Sequence, residues 1–313
     1  MKRTIFRNLF NNSTKFCHHA HIDKSNIINN NNLYLATTHM KDKWIHMRNI
    51  KKSYTNEELY SRMNTTITNI FKQNCNHIRT FIDVDNIVNL KCIHIANIIK
   101  RQWAKNNVTI QLATQPLEGL ETDDNIKLFE DAVKMVDIVG CLPSRDKNFH
   151  KHLDIAFSTA KKHNKHIEAH LDQCNVPIEN ETEIFTDFVD KYNYQNKARA
   201  IHSISLACKS LEKQNNIAKK MAELNIGVIV CPSAAISMVQ ENKFLTPIHN
   251  SIAPIQVLIN NGVDVALGID NIHDIFMPFC DGDIIFELRL LSEATRIYDP
   301  EILKKILSNN LGF

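Results

Sequence analysis

The stretch FCHHAHIDKS, residues 16–25, places three histidines, an aspartate and a lysine just inside the N-terminus. His19 and His21 alternate with Ala20, and alternate residues of an extended strand lie on one face of the sheet. The pattern therefore predicts two imidazoles side by side at the end of a first strand. Such a pair favours a metal ion, and a polar patch at a frayed terminus is the alternative.

The composition is that of an ordinary globular protein. The 313 residues are 43% hydrophobic and 23% charged, which suits one large domain or two modest ones. The formal charge of +3 is nearly balanced, unlike the basic stripe of a nucleic-acid-binding protein. No apolar run approaches the length of a membrane span. We therefore expect neither nucleic acid nor membrane as a partner.

The eight cysteines are scattered along the chain, and none forms a CxxC pair. Most lie inside apolar runs, as Cys141 does in IVGCLP and Cys231 in VIVCP. Such cysteines are typical of core positions in a reducing compartment. Residues 1–14 lack the apolar segment of a secretory signal, so we predict a short lead-in segment and a cytoplasmic protein. An organelle-targeting signal is the alternative for this basic, acid-free terminus.

Short apolar runs recur along the whole chain, and each is followed by a longer segment of helical period. The runs cover 15–22, 77–84, 108–115, 137–143, 166–171, 199–205, 227–232 and 263–269, and the helical segments cover 56–73, 85–105, 123–136, 150–163, 181–192, 210–225, 252–262 and 283–294. Strands that alternate with helices pair in parallel through right-handed crossovers. Eight such units predict a closed (β/α)8 TIM barrel of the α/β class. A doubly wound open sheet is the alternative, but the glycine-rich phosphate loop that it would need is absent.

Residues of metal-ligating type fall at the ends of the predicted strands, where a barrel carries its function. His19 and His21 end the first run, His170 ends the fifth, His202 lies in the sixth and Asp270 ends the eighth. Imidazoles and a carboxylate that converge on one mouth are a ligand set for a divalent transition metal. Each residue alone has a structural interpretation, as a hydrogen-bonded core histidine or a helix cap. Their coincidence at strand ends favours the metal site.

Three further polar residues follow strands at the same end of the predicted barrel. Asp83 ends the second run, Gln115 ends the third, and Asn271 comes directly after Asp270. We predict that these three side chains contact the substrate. Asp83 could equally cap the helix that follows it, and Gln115 could simply end a strand.

The order of these motifs resembles the amidohydrolase superfamily, and within it the cytosine deaminase-like branch. That family has HxH on strand one, here residues 19–21, and a histidine on strand five, here in EAHLDQ. It has a histidine on strand six, here in AIHSIS, and an aspartate on strand eight, here in LGIDN. The segments HIRTFIDV, VGCLP and LGIDNIHDIFMPFCDGD also resemble segments of the family. The resemblance covers roughly residues 15–310.

The resemblance implies a mononuclear site in which His19, His21, His170 and Asp270 hold one divalent metal ion, Fe2+ or Zn2+. His202 would contact the water or the substrate and stabilise charge as the tetrahedral intermediate forms. Asp270 would move a proton from the water to the leaving nitrogen. No lysine follows strand four at VGCLP, so a carbamate-bridged binuclear centre is not expected.

Three features depart from the family pattern. Gln173 stands where deaminases of this branch have a proton-shuttling glutamate, and an amide does not titrate. Gln115 precedes the proline of ATQPLEG, whereas the substrate-reading glutamine of the family follows it, where this chain has Leu117. Few residues flank the barrel, so we predict one domain over 1–313 that lacks most of the accessory β-sandwich. Exposed barrel walls would favour self-association, which leaves a homo-oligomer open.

The predicted function is metal-dependent hydrolysis of a C–N bond in a small nitrogen heterocycle. Because Gln173 does not titrate, three forms of this reaction stay open. The substrate is an amide or cyclic amidine that needs no proton shuttle, or Gln173 orients a different ring edge, or water or Asp172 replaces the shuttle in a deamination. The alternative from another class is a degenerate, non-catalytic barrel that retains ligand binding.

Overall fold

The computed structural model describes residues 5–238, 241, 243–244 and 252–313. Eight strands form a single parallel sheet in which each strand pairs with the next one along the chain. The strands are β1 Lys15–Cys17, β2 Cys75–Asp83, β3 Thr109–Gln115, β4 Ile138–Cys141, β5 His166–Leu171, β6 Ala198–His202, β7 Gly227–Val230 and β8 Val265–Leu267. This order is that of a barrel rather than of a doubly wound sheet.

The first and eighth strands meet through the residues just beyond their ends. The Ile269 N–H donates to the His19 carbonyl at 2.8 Å, and the His21 N–H donates to the Asp270 carbonyl at 3.1 Å. These bonds return the ring of pairing from β8 to β1. The predicted (β/α)8 barrel is therefore confirmed.

Helices alternate with the strands around the described part of the barrel. They are α1 Ile5–Leu9, α2 Met40–Lys51, α3 Asn56–Phe71, α4 Lys91–Ala104, α5 Asp123–Val133, α6 Phe149–Lys162, α7 Glu181–Lys191, α8 Leu211–Glu223, α9 Pro232–Ser237, α10 Ile255–Asn260, α11 Ile284–Thr295 and α12 Pro300–Ser308. Short 3₁₀ turns cover Leu33–Thr37, Pro143–Arg145 and Ile204–Cys208. Among these helices, none has the length and apolar character that crossing a membrane requires.

Side-chain caps and apolar faces explain where the outer helices begin and how they pack. Thr55, Thr122, Asn148 and Ser210 each accept a hydrogen bond from the N–H three residues further on. Beyond each cap, the buried residues of the helix recur at helical spacing and face the strands. Inside the barrel, a smaller apolar cluster fills the lumen with Phe81, Ala113, Ile138, Ile201 and Ile229.

The helix predicted over 85–105 begins later than its apolar pattern suggests. The Asp85 carboxylate accepts the Ile87 N–H at 2.9 Å, and Asn89 has a left-handed φ of 47°. This local turn competes with the helix, which therefore starts at Lys91. Four helices of the described residues were not predicted from the sequence: α1, α2, α9 and α12. Of these, α2 and α9 follow β1 and β7 at the carboxyl end of the barrel.

The amino end of the barrel is closed by a buried ion pair and by the last residues of the described chain. The Arg79 guanidinium donates to the Glu168 carboxylate at 2.6 Å and to the Gly312 carbonyl at 3.3 Å. The same guanidinium lies 4.8 Å from the centre of the Phe313 ring. This end is therefore filled, and access to the barrel is left to the opposite end. The single-domain assignment over 1–313 and the lead-in over 1–14 stay predictions.

Gly140 in β4 provides a test of the packing beneath the functional end. A Cβ at this position would lie 2.1 Å from the Thr114 carbonyl oxygen and 2.5 Å from the Phe81 ring. We expect Gly140→Ala to lower the free energy of unfolding by about 1–3 kcal/mol, because overpacking forces neighbours to shift. Urea unfolding followed by circular dichroism measures the change. Lys219→Ala, on the exposed face of α8, is the control and should leave the midpoint unchanged; an equal midpoint for both variants would contradict the close packing.

Candidate active site

The predicted metal ligands converge at the carboxyl ends of the strands. The Nε2 atoms of His19 and His21 lie 3.4 and 3.2 Å from Asp270 Oδ1. His202 Nε2 lies 3.7 Å from the other oxygen, Asp270 Oδ2. The His170 ring is centred 4.8 Å from the His19 ring and 5.5 Å from the His21 ring. Four strands thus bring residues that are distant in the chain around one point.

Two overlapping groups of side chains have the spacing of a metal site. The ligand atoms of His19, His170 and His202 lie within 4.8 Å of one another, as do those of His19, Cys231 and Asp270. Cys231 follows β7, and its place inside an apolar run predicted a core position. Its apolar surroundings in VIVCP gave no functional signal other than its place after a strand. Because His202 belongs to the first group, its assignment to the substrate rather than the ion stays a prediction.

Left-handed backbone aims two of the functional side chains. His202 has a φ of 73° and Asp270 a φ of 72°, although neither is glycine. Such conformations are uncommon and persist where the surrounding structure enforces them, often at functional sites. Here the enforcement is visible for Asp270, whose N–H donates to the His19 carbonyl at 3.0 Å. The contact that closes the barrel therefore also orients the carboxylate.

Gly268 allows β8 to approach the first strand at the site. A Cβ on this residue would lie 2.6 Å from the Cβ of His19 and 2.8 Å from the sulfur of Cys231. A larger residue here would displace His19 from the group of ligands. The glycine of LGIDN is therefore part of the site even though it carries no side chain.

Behind the histidines, the protein fixes both ring position and tautomer. His170 Nδ1 lies 3.3 Å from the Cys141 carbonyl oxygen, which can only accept, so Nδ1 carries the proton and Nε2 keeps its lone pair. The Phe81 ring forms an apolar floor at 4.6 Å from His19 and 5.0 Å from His170. This support from behind is typical of histidines that bind metals.

The unsatisfied nitrogen atoms test whether a metal fits here. The Nε2 atoms of His19 and His170 are buried and make no hydrogen bond within the described residues. A buried polar atom without a partner is destabilising, and an ion between these two nitrogens would remove that cost. The observation supports a divalent ion held by the imidazoles and the Asp270 carboxylate.

The pKa shifts favour ligand forms of these groups at neutral pH. Burial lowers the pKa values of His19, His21 and His170, and it lowers the pKa of His202 to about 4. Burial also raises the pKa of Asp270, but the adjacent imidazoles of His19 and His21 outweigh it and hold that pKa well below its usual range. Neutral imidazoles and an ionised carboxylate result, which is a donor set for zinc or iron.

A cavity opens above the ligands, and His21, His170 and Asp270 form part of its wall. Much of its wall is apolar and includes Met40, Trp44, Leu117, Leu142, Phe276 and Met277. Helix α2 supplies Met40 and Trp44 and is fixed over the mouth by contacts to other loops. Arg48 forms an ion pair with Glu118, and the Arg145 guanidinium lies 5.3 Å from the Trp44 ring centre.

Three of the residues predicted to act on the substrate line this cavity. Gln115 and Gln173 each have a buried amide atom, Oε1 and Nε2 respectively, that makes no hydrogen bond within the described residues. Asn271 also lines the cavity, while its amide nitrogen donates to the Asp274 carboxylate. Two free amide atoms beside an apolar wall suit a flat polar ring. The substrate roles of these three residues stay predictions.

Asp83 lies outside the residues that line the cavity. Its carboxylate is fully buried and accepts from Lys24 Nζ at 2.6 Å and from Lys51 Nζ at 3.0 Å. Burial raises the pKa of Asp83, but the two ammonium groups outweigh it and lower that pKa to about 2. Lys24 is the member of this group that reaches the cavity. Lys24 was not among the predicted site residues, although its place three residues after His21 was the available signal.

Comparisons with known proteins agree with this geometry. No family model matches the chain. An uncharacterized protein of Haemophilus influenzae is 28% identical over 246 residues, which cover 77% of this chain and 88% of that protein. N-isopropylammelide isopropyl amidohydrolase of Pseudomonas sp. is 22% identical over 214 residues, 67% of this chain, and the chain spans about half of that relative's length, 49%.

Solved structures with the same fold include amidohydrolases and a deaminase. A 5-methylcytosine deaminase from Klebsiella pneumoniae, bound to phosphonocytosine, superposes with a TM-score of 0.84 at 18% identity, over 96% of this chain and 76% of that one. A zinc-bound amidohydrolase from a Burkholderia species has a TM-score of 0.67 at 14% identity, over 98% and 87% of the two chains. These comparisons agree with the predicted resemblance to the amidohydrolase superfamily, and what the solved structures share with this chain is the barrel fold.

The metal content of purified protein tests the ligand assignment. We expect the wild type to bind about one equivalent of zinc or iron per chain, and His170→Ala to lower the metal content strongly because it removes a buried donor. Mass spectrometry of the metals measures the content. Added metal should also raise the unfolding temperature of the wild type more than that of the variant.

His94→Ala is the matched control for this experiment, because His94 is an exposed histidine on α4. It should keep the wild-type metal content. Metal-free wild-type protein that is fully folded and gains no stability from added zinc or iron would contradict the assignment.

Proposed function

We propose that this protein is a metal-dependent hydrolase that cleaves a C–N bond of a small nitrogen heterocycle. The observation that carries the proposal is the convergence of His19, His21, His170 and Asp270 beneath a cavity with free amide groups. Two related proteins support the substrate class, since one is a 5-methylcytosine deaminase and the other an amidohydrolase named for N-isopropylammelide.

The four ligands would hold one divalent ion, Zn2+ or Fe2+. When bound, such an ion supplies a Lewis acid that makes water nucleophilic at neutral pH. The chain contributes neutral imidazoles for the ion, and the burial of these rings keeps bulk solvent away from their nitrogens. The zinc bound by the Burkholderia amidohydrolase favours zinc as the first metal to test.

Asp270 is positioned to move the proton that the reaction needs. Hydrolysis adds the oxygen of water to an sp2 ring carbon, breaks the C–N bond and delivers a proton to the departing nitrogen. Asp270 Oδ1 faces His19 and His21, while Oδ2 lies on the side of His202 at 3.7 Å from its Nε2. Oδ2 would take a proton from the water and pass it to the nitrogen, and His202 would donate a hydrogen bond to the developing negative charge.

Gln173 and Gln115 would orient the ring over this site. Each has an amide atom that is buried and lacks a partner within the described residues, so a substrate can satisfy both. Neither side chain titrates, so neither transfers protons. We therefore place proton transfer on Asp270 and ring recognition on the two glutamines.

The remaining partners follow from the same observations. We infer that the ligand is a small heterocyclic substrate. We also infer a cytoplasmic location, because all eight cysteines are free. A homo-oligomer stays a prediction that sedimentation can address.

Replacement of the acid tests the proposed activity. We expect zinc- or iron-loaded wild type to release ammonia or an amine from at least one member of a panel of pyrimidines, pterins and cyclic amides. Asp270→Asn should reduce kcat by at least about 10²–10⁴-fold, because it removes the proton acceptor. Asp187→Asn, on the exposed face of α7, is the control and should keep wild-type activity. Metal-loaded wild type that binds heterocycles without turnover would favour the non-catalytic alternative.

Gln173→Glu separates ring recognition from proton transfer. If Gln173 orients the ring through its amide, the change removes a donor and introduces charge, so kcat/KM should fall by about tenfold or more. The kcat/KM of Gln173→Ala should fall by a similar factor. Steady-state kinetics on the substrate found above measures both variants, and an increase in deamination for Gln173→Glu would instead show that the site works as a deaminase lacking its shuttle.

A further inference from the structure

Lys43 on α2 is a buried ammonium group that lines the cavity. The residue is only 6% exposed, and its hydrogen bond within the described residues is a long one, 3.4 Å to the Phe276 carbonyl. Its Nζ lies 6.0 Å from the Phe276 ring centre, and no carboxylate of the described residues forms an ion pair with it. Burial lowers the pKa of Lys43, and the charge of Asp274 offsets this only in part. The ammonium thus lacks the partner that burial calls for.

The nearby acid is occupied by other donors. Asp274 Oδ1 accepts the N–H groups of Phe276 and Met277 at 2.8 and 3.0 Å. Its Oδ2 accepts from the Asn271 amide. These three bonds hold the segment after β8 in place and leave Lys43 without a direct ion pair to this carboxylate.

Lys24 shows what a satisfied lysine looks like in the same cavity. It is as buried as Lys43, but its Nζ lies 2.6 Å from the Asp83 carboxylate, which neutralises it. Lys43 sits instead beside Met40, Trp44 and Phe276, where an apolar residue of equal length would pack without cost. A lysine at such a place is best explained by an anion that comes with the ligand.

The charge at the cavity supports the same conclusion. Among the described residues that line the cavity, Asp270 is the only carboxylate. Its single negative charge would neutralise only one of the two positive charges of a divalent ion at the proposed site. Lys43 then adds a further positive charge across an enclosed, weakly screened space. With a neutral ring, the charge of Lys43 is offset only in part by Asp274, whereas an anionic ring would neutralise it.

We propose that Lys43 determines substrate specificity by binding a carboxylate, or an equivalent anionic group, on the edge of the heterocycle that faces α2. The inference rests on the proposed function and narrows its substrate class to acidic nitrogen heterocycles. Lys43 is a specificity-determining residue here and takes no part in proton transfer.

Equilibrium binding to matched ligand pairs tests the proposal without requiring turnover. The pairs are cytosine with cytosine-5-carboxylate and uracil with uracil-5-carboxylate, titrated calorimetrically into zinc-loaded protein. We expect the wild type to bind at least one carboxylated ligand about tenfold or more tightly than its neutral counterpart. Lys43→Met should weaken the binding of that carboxylated ligand by about 10–100-fold, because it removes a charged hydrogen bond. It should change the affinity for the neutral ligand by less than about twofold.

Three further variants keep the result interpretable. Lys43→Gln repeats the loss of charge if Lys43→Met fails to fold, Lys43→Arg should retain part of the preference, and Lys41→Met on the exposed face of α2 should bind like the wild type. Wild-type protein that binds neither acid, or that prefers the neutral rings, overturns the proposal, as does an unchanged preference in Lys43→Met. Preference for the acids without turnover on any substrate supports the role of Lys43 and counts only against the proposed hydrolase.

Discussion

Closure of the barrel between β8 and β1 is the constraint on which the rest of the site depends. The backbone of His19 accepts from Ile269 and from Asp270, and the His21 N–H donates to the Asp270 carbonyl. Residues some 250 positions apart are thereby set within 3.2–3.4 Å of each other at their side chains. Gly268 permits this approach, because any side chain there would strike His19. The same hydrogen bonds that complete the fold therefore bring the candidate metal ligands together, so the fold and the candidate site depend on the same contacts.

Around that seam, the protein treats buried charge in two different ways. At the side of the site, Asp83 is neutralised by Lys24 and Lys51, and the group is internally complete. At the candidate metal site and at Lys43, polar atoms are buried without a full set of partners among the described residues. Complete groups stabilise the fold, whereas incomplete ones are tolerated where a ligand restores the missing interactions. Unsatisfied buried atoms also occur elsewhere in the described residues, but those of His170 and the two glutamines lie together at the cavity, next to the unsatisfied ring of His19.

The fold of deaminases and amidohydrolases is shared here by a chain whose cavity differs in its polar residues. Gln173 replaces an acid, and Gln115 lies on the other side of its proline from the usual reader of the ring. The first change preserves hydrogen bonding and removes a titratable group, whereas the second only moves an amide, so the proposed acid–base work falls on Asp270. Under the proposed function, the cavity would combine a metal site of the family's type with a different means of holding the ring.

The sequence by itself determined the barrel, because eight apolar runs alternating with helical segments admit few other arrangements, and it located His19, His21, His170, His202 and Asp270 by their places at strand ends. Those predictions rest on local periodicity, which a single chain displays directly. Only the tertiary structure decided that Asp83 is held by lysines away from the cavity, that Cys231 lies beside the ligands, and that α2 brings Lys43 to the mouth. These outcomes depend on which loop packs over which strand end, and loop packing follows from long-range contacts that no local pattern records.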